Sequence, residues 1–316
     1  MYTGELISLS VAISWTICAL FAEVASKRMG SLPLNVIRMA LSLLMLVGVM
    51  WIFTGHPYPY GADGATWRWL LLSGLVGYVI GDFCLFNCYI LIGSRYGQLL
   101  MTLAPAAAAI SGRLILGQEL PWKAIAGMLI TMSGIAISLY RRPSSSPSGN
   151  TSGGKLPVKG VIFGCIAGIC QGIGLVCSAK GLECYEHSLL SSGIDPESMR
   201  NVIPFASTAI RAVMGLLGFT LWTLLSGHGA DLRKAACDRR GMLFALGATI
   251  TGPFIGVSLS LMATLYTQAG IAQTIMALTP VLIILPTWLL FKQKVSIREI
   301  IGAVIAVGGV SMFFLT

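Results

Sequence analysis

Long apolar runs separated by short polar connections recur along the whole chain. No Asp, Glu, Lys or Arg occurs between Arg240 and Lys292, and one bilayer crossing needs about 20 mainly apolar residues. That interval is therefore long enough for two crossings. Over the whole chain, the pattern predicts ten membrane-spanning helices, near residues 6–26, 34–54, 68–92, 97–117, 122–140, 160–180, 202–226, 242–266, 270–291 and 298–316.

The apolar runs favour helices over strands. A lipid-exposed backbone must satisfy its own hydrogen bonds, so only helices and closed barrels span a bilayer, and these runs lack the alternation of barrel strands. Composition agrees, because 55% of residues are hydrophobic and 10% are charged, against roughly 25% charged in a soluble domain. The predicted class is an all-α, multi-pass integral protein of the cell membrane, the inner membrane if the cell is bacterial.

One stretch of sequence occurs twice. GQLLMTLAP, ending at Pro105, returns as AQTIMALTP, ending at Pro280. An internal repeat is the signature of a duplicated structural unit. The offset of 175 residues (280 − 105) also aligns, without a gap, Gly77 with Gly252, Gly81 with Gly256, Gln98 with Gln273, Met101 with Met276, Gly127 with Gly302, and Gly134 with Gly309.

A linker divides the two copies. Pro143–Pro157 is rich in Ser, Gly and Pro, a composition typical of flexible linkers. The predicted organisation is a first repeat over residues 1–142, a linker over 143–157 and a second repeat over 158–316. Five crossings is an odd number, so the second repeat enters the membrane from the opposite side and the repeats are inverted.

Basic residues are distributed unevenly over the connections. Odd-numbered connections hold fourteen Lys and Arg, and even-numbered ones hold three, Arg68, Lys123 and Arg200. The positive-inside rule then places the odd connections in the cytoplasm and both termini outside. The net charge of +9 is scattered rather than clustered with stacking aromatics, so nucleic acid is not an expected partner. The expected partners are a small-molecule substrate, membrane lipids and protons, and the oligomeric state is left open.

Catalytic and cofactor motifs are not found. The eight cysteines lie mostly inside predicted helices, where Cys behaves as a small hydrophobe, and neither disulfides nor a metal site are implied. The sequence contains no HExxH or GxSxG motif, so we expect no enzyme and no cofactor. The acidic segment from Gly181 to Val202 is expected to be a solvated loop facing outward, or alternatively a mouth that attracts cations.

Two sets of residues follow a similar order and spacing in the two copies: Trp15, Arg38, Gly81, Pro105, Gly127 and Gly134 in the first, and Arg211, Gly256, Pro280, Gly302 and Gly309 in the second. In these residues the chain resembles the drug/metabolite transporter superfamily, specifically the EamA-type permeases with ten helices in two five-helix repeats. Where that family tends to carry Glu, nine residues before the fifth-helix glycine of each repeat, this chain has Gln118 and Gln293. The resemblance implies a secondary transporter, commonly an exporter of amino acids or other small metabolites.

The repeated prolines mark a candidate substrate cavity. Inverted-repeat transporters bind near the bilayer midplane, where helices are broken. Pro105 and Pro280 lack an N–H, so the carbonyls of Met101 and Met276 are expected to be free to accept from a substrate or water. Simple kinked packing and interhelical hydrogen bonding are the alternatives. Neutral polar candidates near the prolines are Gln98, Thr102, Gln273 and Thr279, and aromatic candidates are Trp15 and Tyr266.

Asp82 is the candidate proton-coupling residue, because it lies inside the third predicted helix. A charge at the bilayer centre costs about 2.5–3.5 kcal/mol on insertion scales, so it should face a cavity, have a partner or be protonated. A structural pairing with Arg113, Arg38 or a helix end is the alternative. Its counterpart in the second copy is Val257.

Three arginines are candidates for a charged cavity or gate: Arg38, Arg113 and Arg211. Arg38 and Arg211 each come early in the second helix of their copy, where an Arg could hold a carboxylate bidentately or, the favoured interpretation, snorkel to the interface. Glycine ridges predict close helix packing. They consist of Gly160, Gly164, Gly168 and Gly172 in the sixth predicted helix, of Gly77 with Gly81, and of Gly252 with Gly256.

The sequence therefore predicts a permease that moves a small organic solute outward by alternating access, driven by a proton gradient or by exchange. A passive pore or a non-transporting membrane scaffold on the same bundle is the alternative.

Overall fold

The computed structural model describes residues 2–139, 157–227, 229–282 and 297–312, and the regular structure in these ranges is helical throughout. Two pairs of consecutive α-helices are each joined by a π-helical segment, Leu75–Asp82 in the first half of the chain and Ile250–Phe254 in the second. The α-helices are α1 Thr3–Met29, α2 Ser31–Thr54, α3 Gly64–Gly74, α4 Phe83–Leu100, α5 Leu103–Leu116, α6 Trp122–Leu139, α7 Val158–Ser191, α8 Pro196–Met199, α9 Ile203–Leu225, α10 Gly229–Cys237, α11 Arg239–Thr249, α12 Ile255–Thr264, α13 Ala269–Met276, α14 Thr279–Leu282 and α15 Ile297–Ser311.

Seven helical stretches in the described residues are long and apolar enough to cross a membrane. Two more apolar helices, Trp122–Ile137 and Ile300–Val310, are shorter. The ninth predicted crossing begins as α13 and α14, and its remainder lies outside the described residues. The seven stretches are Thr3–Met29, Ser31–Thr54, Gly64–Ser94, Tyr96–Leu116, Val158–Ser191, Ile203–Leu225 and Arg239–Thr264.

The sequence had suggested that the acidic segment after Gly181 is a loop, but its first part is helical. Helix α7 runs on to Ser191, for 34 residues in all. The extension is amphipathic, because Leu182, Tyr185 and Leu189 are buried at helical spacing. The Tyr185 hydroxyl donates to the carbonyl of Tyr60 at 2.8 Å. Packing against the α2–α3 connection therefore holds this part of the chain helical.

The two halves of the chain share one core. Helix α7 packs along α3, α4 and α5 from the first half, and α2 packs along α9 from the second. The largest buried cluster accordingly mixes both halves, with Met39 and Tyr78 beside Leu175, Ile203 and Leu261. The described residues within 2–139 and 157–312 are therefore packed together around common buried residues.

A glycine ridge on α7 lets α4 and α5 approach closely. A Cβ added at Gly168 would lie 2.6 Å from the carbonyl oxygen of Leu100. One added at Gly172 would lie 2.8 Å from both the Cβ of Ala107 and the backbone N of Ala108. Only glycine fits where another backbone comes this near, so the ridge sets the helix–helix distance.

The connections gather at two ends of the bundle. At one end, Arg28 in the last turn of α1 donates to Asp238 before α11, with Nε–Oδ2 at 2.9 Å and Nη2–Oδ1 at 3.1 Å. At the start of α1, Glu5 accepts from the Thr267 hydroxyl at 3.1 Å. Gln118 lies at this second end as well, where its Oε1 accepts the first backbone N–H of α13 at 3.4 Å.

Candidate functional site

An ion pair between Arg38 and Asp82 lies inside the bundle. Arg38 Nη1 donates to Asp82 Oδ2 at 3.2 Å, and the two side chains are 4% and 13% exposed. Arg38 also donates to Asn35 Oδ1 at 3.1 Å, and its guanidinium lies 4.6 Å from the centroid of the Phe86 ring. Asp82 is the last residue of the first π-helical segment. The partner that its position requires is thus Arg38.

Neither of the matched arginines reaches the interface. Arg38 and Arg211 are each only 3% exposed, so the snorkelling interpretation is wrong for both. The reason is their neighbours: both guanidinium groups are covered by aromatic rings and by helix backbone from the other half of the chain.

Arg113 does not belong to this charged centre. It is exposed in the last turn of α5, so its predicted place as a partner of Asp82 or an inner gate is wrong. A cation near the carboxyl end of a helix interacts favourably with the helix dipole, which accounts for its position.

The two buried arginines are packed in the same way. A Cβ added at Gly252 would lie 2.9 Å from Arg38 Nη2, and one added at Gly77 would lie 2.9 Å from Arg211 Nη2. Both glycines are in π-helical segments. Arg211 also lies over the Tyr78 ring, 4.8 Å from its centroid. Each guanidinium therefore rests against the π-helical segment of the opposite half.

The glycines one turn further on also pack across the halves. A Cβ added at Gly81 would lie 3.4 Å from the Cβ of Cys170. One added at Gly256 would lie 2.7 Å from Cδ1 and Nε1 of the Trp15 indole. Trp15 is thereby held against the second half of the chain.

A small cavity, which we call the Gln98 cavity, lies near the middle of α1. Gln98 Nε2 donates to the Tyr89 hydroxyl at 2.5 Å. The cavity measures about 60 Å³, so it is too small to hold an organic solute as it stands. It is lined by Trp15, Cys18, Ala19, Ala22, Arg38, Phe86, Tyr89, Gln98, Met101 and Gln171.

The carbonyls that the prolines were expected to free have partners. The Met101 carbonyl accepts the backbone N–H of Ala104 at 3.0 Å, because the chain turns there and Pro105 falls in the first turn of α5. The Met276 carbonyl accepts the Thr279 hydroxyl at 2.8 Å. The expectation of free carbonyls is therefore wrong at both sites. Thr102 lies in the first of these turns.

The second-copy candidates divide into two places. Gln273 and Met276 are buried, Met276 in a cluster that Trp15 packs against, and Gln273 Oε1 has no hydrogen-bond partner among the described residues. Tyr266 follows the end of α12, where it is 39% exposed and its ring lies 4.6 Å from the Arg200 guanidinium. Its predicted place in the central cavity is wrong, because α12 ends before it.

A larger cavity, the α10 cavity, opens at the end of the bundle where α1 meets α2. Its volume is about 690 Å³. Phe83, which directly follows Asp82, is part of its wall, so the ion pair lies one residue from this cavity. It is lined by Arg28, Met29, Gly30, Ser31, Leu32, Pro33, Phe83, Asn87, Ile90, Asp231, Lys234, Ala235 and Asp238.

The Arg28–Asp238 pair at this cavity stays charged at neutral pH. The hydrogen bonds that Asp238 accepts from Arg28, together with the charge of the Arg28 guanidinium, lower the pKa of Asp238 below its usual 3.8. The contact is therefore present above the usual pKa and is lost only as the pH falls through the lowered value.

A third cavity, the Glu186 cavity, lies at the other end of α1. It measures about 650 Å³, and Leu265 in its wall is two residues from Thr267, which contacts the first turn of α1. A helix of 27 residues spans about 40 Å, so the two large cavities are far apart. The Glu186 cavity is lined by Leu116, Gln118, Ala179, Leu182, Glu183, Glu186, Leu190, Asp195, Pro196, Glu197, Arg200, Thr264 and Leu265.

The sequence reasoning missed polar residues near the charged ones. Ser207 on α9 is four residues before Arg211, whereas Asn87 in the α10 cavity is five residues after Asp82 and had no such signal. Residues three and four apart share a helix face, so this spacing was the available signal.

Comparison with known proteins places these features in a family. The sequence profile of the EamA-like transporter family matches residues 2–140 and 196–315. A search of curated proteins gives no match. A solved chain described as "Crystal structure of protein" superposes with a TM-score of 0.68 at 16% identity, over 99% of this chain and 96% of that one, which shows the fold alone. Since the profile covers most of the sequence, the chain belongs to the EamA-like transporter family, within the drug/metabolite transporter superfamily.

Proposed function

We propose that this protein is a secondary active transporter that moves a small organic metabolite across the cell membrane by alternating access. The Arg38–Asp82 pair is the observation that carries the proposal. An ionisable residue at membrane depth is costly and is typically retained for a substrate or proton pathway. This one is held between the small Gln98 cavity, which Arg38 lines, and the α10 cavity.

The arrangement of the cavities favours a carrier over a passive pore or a scaffold. Large cavities open at the two ends of α1, whereas the cavity at its middle measures about 60 Å³. A pore needs a continuous path, and a scaffold needs neither the cavities nor the buried charges. A carrier exposes its central site to one end at a time, so a narrow centre between two cavities fits a carrier.

The proposed architecture is ten membrane-spanning helices in two inverted five-helix repeats, over residues 1–142 and 158–316. Three observations support it. The family profile matches the chain in two segments. The π-helical segments occur at repeat-equivalent positions, with Gly77 in one and Gly252 in the other. The first and seventh predicted connections, which carry Arg28 and Asp238, meet at one end of the bundle.

Asp82 is the proposed coupling group. Protonation of its carboxyl would remove its attraction for Arg38 and release the two π-helical segments to move relative to each other. Exchange of one solute for another would use the same pair without a proton. Export of an amino acid or a similar metabolite follows from the family resemblance, as does the absence of catalytic activity.

A reconstituted system tests the proposal. A thermal-shift screen of the purified protein against amino acids, nucleobases, polyamines and sugar phosphates selects a solute, which is then followed in proteoliposomes under a pH gradient. We expect concentrative movement that an uncoupler abolishes, or concentrative exchange against preloaded solute that the uncoupler leaves intact. Flux that only equilibrates would favour a pore, and no flux with any screened solute would favour a scaffold.

A further inference from the structure

Arg211 is a buried guanidinium with no acidic partner among the residues that the structure describes. Only 3% of the residue is exposed, and its Nε makes no hydrogen bond. Arg38 is packed in the same way and its Nε also makes no hydrogen bond, but its Nη1 pairs with the carboxylate of Asp82. The repeat explains the difference, because the position equivalent to Asp82 in the second copy is the buried Val257.

The centre of the protein therefore carries one uncompensated positive charge. Among the described residues, the charged side chains that are almost fully buried are Arg38 and Arg211, and Asp82, which is only 13% exposed, neutralises one of them. An unpaired charge away from water is strongly unfavourable. An anion placed against Arg211 would remove that cost.

Hydrogen-bond donors without acceptors lie next to this charge. The Tyr78 hydroxyl, on the ring beneath the guanidinium, is buried and makes no hydrogen bond. The Ser207 hydroxyl is likewise buried and unbonded, and it lies four residues before Arg211, on the same face of α9. Buried polar groups are normally satisfied, so a cluster of unsatisfied ones calls for a ligand.

We propose that Arg211, with Tyr78 and Ser207, binds the anionic group of the transported solute, so that the substrate is an organic anion carrying a carboxylate or a phosphate. This inference rests on the transport function proposed above. A guanidinium presents a planar fork of donors that matches either group. The Arg38–Asp82 pair leaves Arg211 available, because Asp82 already engages the other arginine.

The first test is the stability of the ligand-free protein. Arg211→Met removes the charge and keeps the length of the side chain, and we expect its unfolding temperature to equal or exceed that of the wild type. Arg38→Met leaves Asp82 buried without a partner, and we expect a fall of roughly 5 °C or more. If the unfolding temperature of Arg211→Met falls as far as that of Arg38→Met, the Arg211 guanidinium is a structural group and the inference is overturned.

The second test is binding of matched probes to the purified protein in an uncharged detergent. Succinate is compared with succinamide, and glycerol 3-phosphate with glycerol, so that the two arms separate carboxylate from phosphate. We expect at least one anion to bind and its neutral counterpart not to. Arg211→Met should weaken the binding of that anion by roughly tenfold to hundredfold, and Arg211→Lys should weaken it less. The control variant Arg68→Met, at an exposed position, should bind the anion as the wild type does.

The outcomes separate the site from the transport function. Equal binding of anion and neutral probe, no binding of either anion, or unchanged binding by Arg211→Met would overturn the anion site. If a neutral or cationic solute is transported equally by the wild type and Arg211→Met, transport stands and this inference fails. If anions bind through Arg211 and no solute crosses the proteoliposome membrane, the site stands and the transport function fails.

Discussion

Asp82→Asn abolishes coupled transport in proteoliposomes and lowers the free energy of unfolding. The asparagine amide cannot ionise, so it carries no proton through the pH range, and it leaves the Arg38 guanidinium buried without its counter-ion. Breaking one side of a buried pair costs about 3–5 kcal/mol. We expect uptake at background level and a loss of stability near the lower end of that range, because the Asp82 side chain keeps 13% exposure.

Two further variants separate coupling from stability. Glu119→Gln removes an exposed carboxylate and should transport as the wild type does. The double variant Arg38→Met with Asp82→Asn removes both charges of the Arg38–Asp82 pair, so it should regain most of the lost stability and remain inactive. Wild-type uptake by Asp82→Asn would remove this residue from the mechanism.

Gly172→Ala destabilises the helix bundle by about 2 kcal/mol. The new methyl group would lie 2.8 Å from the Cβ of Ala107 and the backbone N of Ala108, and overpacking of this kind typically costs about 1–3 kcal/mol. Because the contact is with backbone, α7 and α5 must separate to relieve it. Thermal unfolding of the purified protein in detergent measures the change.

The matched control for this substitution is Gly48→Ala, in the interior of α2, where an added Cβ meets no atom within 4 Å. Alanine is favoured over glycine in a helix by about 1 kcal/mol, so this variant should be as stable as the wild type or more so. Equal stability of the two alanine variants would contradict the close packing of α7.

The membrane class was accessible from the sequence because one rule governs it. A crossing helix must be mainly apolar over about 20 residues, and helices such as α1, α2 and α9 follow the charge-poor runs closely. The extent of α7 was not accessible in this way. Its last ten residues carry charges on one face, and only the partner surface at Tyr60 and Gly61 shows that the other face is buried.

The candidate site divides along the same line. A single Asp inside an apolar helix is visible in the sequence, and Asp82 was found on that basis. Its partner could be narrowed to Arg113, Arg38 or a helix end but not chosen, because the rotation of the helices that carry Arg38 and Arg113 depends on packing. The prediction of free Met101 and Met276 carbonyls was wrong for a related reason. A local turn supplies a donor to the first carbonyl, and the Thr279 hydroxyl donates to the second.

We expect the α10 cavity and the Glu186 cavity to lie on opposite sides of the membrane around a narrow, charged centre. Cys237 is exposed beside the first cavity, and Glu197 lines the second. In a Cys184→Ser background, intact cells are labelled with a membrane-impermeant maleimide, once with Cys237 present and once with Cys237→Ser and Glu197→Cys. We predict labelling of Glu197→Cys in intact cells and of Cys237 only after permeabilisation. Labelling of both positions from the same side would contradict the account.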